Sequence, residues 1–375
     1  MRAGPAPGSE PMQAQSQVQT MPVMPPGPAA APGKPDKLAR VTRIGLMLPM
    51  RSETLGAPAD AVRAGFMAAY ALDPAGFSVN LIETGDGAEE TLAAYAVALD
   101  QSDIVVGPLA RSAVSALAAS TLVQKPTIAL NHPEARNPAP VLPPRMLVMG
   151  LSIEDEARQV ADWAGAEHPD GTAIIVAGSS AWQRRVAASF AQQWKQLGHN
   201  SQTILLADSN GYLSEAALAQ LRAQVDADPP TLLFTALDAS QVAQVRGALG
   251  ADLPCYAASS VNPGPTAGAS IAGLDGVRLL DLPWEVQPAH PAVMAYPRWN
   301  GSGATLDMDR LYALGIDAFR VAREIALRPG ADFRLDGVTG QLDVSFGQGA
   351  ARLRRIEPAA VFQGGGVFEQ VSGVR

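Results

Sequence analysis

Residues 103 to 131 restrict the folds open to this chain more than any other stretch. Asp103 precedes the apolar run Ile104 to Val106, which is β-branched throughout. A run this short, with no polar alternation, suits a strand buried on both faces, as in parallel sheets. Gly107-Pro108 stops it. From Arg111 to Leu122 the residues Val114, Leu117, Ala118 and Leu122 recur as one helical stripe, and Lys125-Pro126 then precedes a second β-rich run, Thr127 to Leu130. This is the grammar of a β-α-β crossover. In an open parallel sheet the loops leaving the carboxyl ends of strands line a crevice, so Gly107 to Arg111 and Asn131-His132 are expected to face whatever binds.

The same alternation extends to both sides. Strands are expected at 44–48, 79–83 and 146–150, with helices at 58–72 and 88–99. Glu154, Asp155 and Glu156 suit the positive end of a helix running to about Ala166. A second series follows, with strands at 172–176, 203–206, 231–235 and 253–257 and helices at 181–197, 214–225 and 241–249. Val277 to Asp281 reads as a strand returning toward the first series, ahead of helical stretches at 290–299 and 307–326. Short strands close the chain at 340–344, 351–356 and 360–363. The expected fold class is α/β, with two doubly wound parallel-sheet lobes joined by a hinge of several crossings. Lobe 1 is expected to comprise 41–150 and about 284–328, and lobe 2 to comprise 151–283 and about 329–375.

Charge and composition exclude several functions. Against 36 acidic residues the chain has 28 Lys and Arg, a formal net charge of −8, and its basic residues are dispersed. Binding to nucleic acid needs a cationic stripe, so no nucleic-acid partner is expected. The one dense basic group, Arg352, Arg354 and Arg355, alternates along an expected strand and reads as a solvated face, with an anion site as the alternative. Residues 1–40 carry nine prolines, four glycines and no aromatic residue, a composition that cannot bury a core and is expected to form a disordered linker. Neither a signal-peptide core nor a run of about 18 apolar residues is legible. The lone cysteine, Cys255 in LPCYA, reads as a small buried hydrophobe.

Catalytic signals are weak. Gly85-Asp86-Gly87 lacks the full phosphate-binding fingerprint, and there is no Walker loop. His132, His168, His199 and His290 are far apart, without metal-ligand spacing, so no metal and no cofactor are expected. AGSSAW, 177 to 182, lacks the second glycine of a nucleophile elbow. Asp307 and Asp309 precede a helix and read as capping and dipole residues. The chain is expected not to be an enzyme.

LPMRSETLG (48–56), VVGPL (105–109), KPTIALN (125–131) and LDGVTGQLDV (335–344) resemble type I periplasmic-binding folds, the class of the branched-chain amino-acid receptors. Within that class DMDRLYALGIDAFRVA (307–322), GVTGQLDV and RLRRIEPAAVFQGG (352–365) are similar to the LppC/LpoA family of outer-membrane lipoproteins that activate penicillin-binding proteins. This resemblance spans about residues 41 to 366. It implies a periplasmic, non-enzymatic regulator that contacts a bifunctional penicillin-binding protein, with membrane attachment only through a lipid anchor outside this sequence. The fold-level resemblance implies instead an amino-acid-like receptor of an ABC transporter.

The candidate site is the cleft between the lobes. Receptors of the class place hydroxyl residues just after the VVGP-like turn, and an aromatic and an acid in the second lobe. Here Leu109, Ala110 and Arg111 follow Gly107-Pro108, and the second-lobe turn reads Gly178-Ser179-Ser180-Ala181-Trp182, with no acid. Trp182 could stack on a ligand or serve packing, and Asp281 is the best remaining cleft acid or a capping residue. Arg51 and Arg111 are expected on loops meeting at one crevice, which suits an anion or leaves two exposed arginines. Ser52, Leu109, Asn131 and Ser180 complete the set expected to line the cleft for a small ligand.

Overall fold

The computed structural model describes Met1 and residues 41–134, 141–264, 273–301, 305–363 and 367–371. Apart from Met1, the expected linker lies outside these residues.

The first sheet is parallel throughout. It comprises β1 (Thr42–Leu48), β2 (Phe77–Glu83), β3 (Ile104–Val106), β4 (Thr127–Ala129) and β5 (Met146–Val148), in the order β2-β1-β3-β4-β5. Ile44 of β1 lies opposite Val79 on one side and Ile104 on the other. The helices α1 (Gly56–Leu72), α2 (Ala88–Gln101) and α3 (Arg111–Ala119) make the crossovers. Successive residues of β3 enter different cores, Ile104 and Val106 in one and Val105 in the other, which is why the strand reads as continuously apolar. Helix α3 stops before Leu122 because the Ser120 backbone N–H and hydroxyl both donate to the Leu117 carbonyl, at 3.1 and 2.8 Å.

The second series begins with α4 (Ile153–Glu167), capped by Ser152, and β6 (Thr172–Ala177). It continues through α5 (Ala181–Gln196), β7 (Asn200–Leu205), the hairpin β8 (Asp208–Ser209) and β9 (Tyr212–Leu213), α6 (Glu215–Ala227), β10 (Leu232–Ala236), α7 (Ala239–Leu249), β11 (Cys255–Ala257) and β12 (Arg278–Leu280). Cys255 is fully buried. Short helices α8 (Pro283–Val286) and α9 (Pro291–Met294) lead to the long α10 (Leu306–Leu327). The chain then forms β13 (Phe333–Asp336), β14 (Gln341–Ser345), β15 (Arg352–Ile356), β16 (Ala359–Gln363) and β17 (Val367–Gln370). The second sheet runs β17-β16-β12-β11-β10-β6-β7, parallel from β12 to β7, with β16 antiparallel to both of its neighbours, β12 and β17. A three-stranded antiparallel sheet, β13-β14-β15, stands apart from both.

Three expectations change. Strand β12 does not return toward the first sheet but sits inside the second, parallel to β11 and antiparallel to β16. Residues 329–356 do not build the second lobe: Phe333, Val338, Leu342, Val344 and Phe346 bury their apolar faces in the same core as β1 and α10. The expected helix at 290–299 is reduced to α9, followed by Pro297. A proline cannot donate an amide hydrogen bond or continue a helix readily, and β13, β17 and the β8–β9 hairpin were too short to show periodicity.

Helices α1 and α10 pack backbone to backbone. A Cβ on Gly65 would lie 1.9 Å from the Tyr312 carbonyl oxygen, and one on Gly315 would lie 2.1 Å from that of Val62. Only glycine permits that approach, which brings Phe66 edge-on to Phe319 with ring centroids 5.3 Å apart.

Three segments cross between the sheets: Met149–Ser152 between β5 and α4, Asp281–Leu282 between β12 and α8, and Glu357–Pro358 between β15 and β16. These crossings form the expected hinge.

Candidate functional site: the cleft loops and the hinge

The loops at the carboxyl ends of β1, β3, β4, β6 and β12 carry the expected cleft residues, and most of their side chains are already engaged. The Ser52 hydroxyl accepts from the amides of Thr54 and Leu55, at 3.2 and 2.8 Å, and stabilises the turn before α1. Leu109 is 4% exposed and belongs to the first core, so it is a packing residue and not a cleft wall. Asn131 ties its own loop to the β3 turn, donating from Nδ2 to the Leu109 carbonyl at 3.1 Å and accepting at Oδ1 from the His132 amide at 2.9 Å.

The two arginines have separate partners. Arg51 forms an ion pair with Glu90, which also accepts from the Gly85 amide at 3.1 Å. The Arg51 hydrogen bond, followed by that amide, holds the Glu90 carboxyl below its usual range. Arg111, exposed at the start of α3, donates from Nε to Asn131 Oδ1 at 3.3 Å. A shared anion crevice is therefore not supported by these contacts.

In the second lobe the expected ligand turn is a helix cap. Ser180 and Gln183 form a reciprocal capping box on α5, and Asp238 and Gln241 form a second on α7. The two caps are joined, because Gln183 Nε2 donates to Gln241 Oε1 at 2.7 Å with both side chains buried. Trp182 is half-buried against the second core, which supports its packing role. Ser-x-x-Gln at 180–183 and Asp-x-x-Gln at 238–241 are legible signals that the sequence analysis missed.

Asp281 is fully buried and unavailable to a ligand. It accepts from Asn262 Nδ2 at 2.8 Å, the Leu282 amide at 2.8 Å, and Arg310 Nε and Nη2 at 3.2 and 2.7 Å. Arg310, 13% exposed, also donates to the Ser259 carbonyl at 3.0 Å. The guanidinium of α10 is thus fastened to the end of β12 and the loop after β11. Burial opposes its charge, yet Asp281 outweighs that and holds the Arg310 pKa above its ordinary value.

More carboxyls gather around this pair. Glu156 accepts from the Ser259 amide at 2.9 Å, and burial, then the Asp281 charge, raise its pKa to about 7. Glu285 is raised to about 8, first by burial and then by Asp281. Glu357, on the third crossing, is 5% exposed, and burial followed by Glu156 pushes its carboxyl well above the usual range. Arg355 departs from the solvated face expected of it. Its guanidinium donates to the carbonyls of Met149 and Gly150 at 2.9 and 3.0 Å and to Thr339 Oγ1 at 3.3 Å, whereas Arg352 and Arg354 are exposed.

Chemically, the cleft loops offer caps and turns, while the buried charge lies at the hinge. Among the described residues, no group of three or more His, Cys, Asp or Glu side chains is arranged to hold a metal ion. No helix among them is long and apolar enough to cross a membrane.

Known proteins agree with this architecture. A Chromobacterium violaceum ATCC 12472 structure described as a "putative branched-chain amino acid ABC transporter" is 34% identical, with a TM-score of 0.68, over 85% of this chain and 99% of that one. The LpoA (YraM) C-domain from Haemophilus influenzae, described as a regulator of PBP1A, is 23% identical with a TM-score of 0.69, covering 88% of this chain and 100% of that domain, and supports the fold. The penicillin-binding protein activator LpoA of Photobacterium profundum is 26% identical over 346 residues, 82% of this chain. The chain spans about half the length of the curated relatives it matches, 54% of that protein and 51% of the Haemophilus ducreyi one. The family model described as "LppC putative lipoprotein" matches residues 9–353, and the chain belongs to the LppC family.

Proposed function

We propose that this chain is a non-enzymatic envelope protein that activates a peptidoglycan synthase of the bifunctional penicillin-binding-protein class by direct contact. The observation that carries this reading is the likeness to penicillin-binding protein activators over 82% of the chain. The engagement of the cleft residues supports it. Ser52, Asn131, Ser180 and Asp281 hold turns, caps and a buried ion pair, so a free ligand would have to displace those bonds to use them. Activation by contact calls for a rigid head and an exposed patch rather than a catalytic residue. Residence in the periplasm, with attachment to the outer membrane by a lipid, completes the proposal and is consistent with a lipoprotein family.

The test mixes the purified chain with each bifunctional penicillin-binding protein of its source organism. Binding to one of them, with a raised rate of peptidoglycan synthesis and no synthase or hydrolase activity from the chain alone, is expected. Neither binding nor stimulation with any of them would remove the activator reading. A second reading, a receptor for an amino-acid-like ligand, draws on the 34% identity to the C. violaceum protein. It predicts leucine binding in the cleft that weakens when Trp182 is replaced by alanine.

A further inference from the structure

Beside the first and third crossings lies a cavity of about 320 Å3 that none of the eight expected cleft residues lines. Its walls come from both lobes: His132 and Gly150 on one side, Gln159 and Gln193 on the other, with Arg354 and Glu357 from the returning chain. Most of its polar groups have partners. Gln193 donates to Asp162 at 2.6 Å, Gln159 accepts from the Glu357 amide at 3.1 Å, and His132 Nε2 lies 3.2 Å from the Gly150 carbonyl. Arg158 is paired with Asp155.

Two groups stand out, one acidic and one basic. Oε2 of Glu357 is buried without a hydrogen-bond partner, although a buried carboxyl left unsatisfied is costly. Arg355, whose charge acts on Glu357, directs its donors to Met149, Gly150 and Thr339 instead. Arg354 is exposed, and Asp343, its cross-strand neighbour in β14, is held by Arg334 at 2.6 Å. Burial disfavours the charge on Glu357, and an ammonium beside it would restore the ionised form, so this acid and the exposed guanidinium in the same wall suit one molecule carrying both charges.

We propose that this cavity binds a small zwitterion, with its ammonium at Glu357 and its carboxylate at Arg354. An ammonium supplies the donors that Glu357 lacks, and a guanidinium suits a carboxylate. Because the ligand touches both lobes and two of the three crossings, its occupancy favours one inter-lobe arrangement by its differential affinity for it. This inference is independent of the synthase reading.

The test is calorimetry on the full chain with glycine, 4-aminobutyrate and 6-aminohexanoate, with butylamine and butyrate as single-charge controls. At least one zwitterion is expected to bind with a Kd of about 1 mM or tighter, and at least about tenfold more tightly than either control. Glu357→Gln, which keeps the side-chain shape, and Arg354→Gln should each weaken that binding about tenfold or more, while Trp182→Ala in the cleft should leave it unchanged. Circular dichroism on each variant separates lost binding from lost folding. The proposal is overturned if no zwitterion binds more tightly than about 10 mM, if butylamine binds as well as the zwitterions, or if Glu357→Gln in a folded protein binds like the original. Loss with Trp182→Ala alone would place the ligand in the cleft and overturn it equally.

Discussion

Replacing Asp281 by alanine should destabilise the protein by about 4 kcal/mol, within the roughly 3–5 kcal/mol expected when one partner of a buried ion pair is removed. Asp281 is completely buried and accepts four hydrogen bonds, two of them from Arg310. The substitution leaves Arg310 with only the Ser259 carbonyl and the exposed Asp307, and leaves Asn262 Nδ2 and the Leu282 amide short of an acceptor. Domain stabilities run about 5–15 kcal/mol, so this is a large share of the total. Arg310→Met should cost a similar amount, because it leaves a buried carboxylate beside Glu156 and Glu285. The double variant removes both charges, and its cost should fall to about 1–2 kcal/mol, below either single one, since residues in one network do not add. Equilibrium unfolding in urea, followed by the fluorescence of the buried tryptophans Trp163, Trp194 and Trp284, measures all four proteins. A loss below about 1 kcal/mol in Asp281→Ala, or a double variant equal to the sum of the singles, would show that the pair does not fasten the hinge.

Other outcomes follow from the same contacts. Burial first and Asp281 second raise Glu156 to about 7 and Glu285 to about 8, from an ordinary value of 4.5, so between these values the folded state holds more protons than the unfolded one. Stability should therefore fall as pH rises from about 4.5 to 8, by up to about 1.4 kcal/mol per unit for each group; urea midpoints at several pH values check this, and a midpoint rising across the window contradicts it. Gly315→Ala should cost about 1–3 kcal/mol or more, because the added methyl would lie 2.1 Å from the Val62 carbonyl, and thermal unfolding that is unchanged would refute the close approach. Arg355→Met removes the guanidinium that donates to the Met149 and Gly150 carbonyls and should speed hydrogen exchange across 149–152; unchanged protection there would mean that Arg355 does not hold the first crossing.

What was legible in the sequence was local. The runs around β3 and β4, and the stripe of Val114, Leu117 and Ala118, announce a parallel crossover because each strand is buried on both faces and each helix on one. Helix α10 was legible for the same reason. The partners of its charges were not: Asp317 is buried and accepts from the Val338 and Thr339 amides at 3.2 and 2.8 Å, and Arg310 reaches Asp281 on β12. Neither partner is fixed by periodicity, since pairing between segments distant in sequence is decided by topology. A charge inside an apolar helical stripe does carry one inference, because it must find a counter-charge or donors once buried. Asp317 in LGIDAF stood in such a stripe and could have been read as an anchor.

That the expected cleft residues serve as caps and turns has a physical cause. Ser180, Asn131 and Asp281 are types that bind ligands well because they hydrogen-bond backbone well, and the same property makes them caps and turn formers. Position alone cannot separate the two uses; the neighbour three residues on can, as Gln183 does for Ser180 and Gln241 for Asp238. Gln183 and Gln241 then bond to each other, so the starts of α5 and α7 are fixed without a ligand. A receptor whose closure depends on its ligand gains from leaving such groups unsatisfied until the ligand arrives. Here the loops that would perform that role are satisfied in advance, and one of the buried carboxyls with an unpartnered oxygen, Glu357, sits on a crossing. On the proposed reading, a molecule bound beside the hinge would alter the relation of the lobes while leaving each sheet intact.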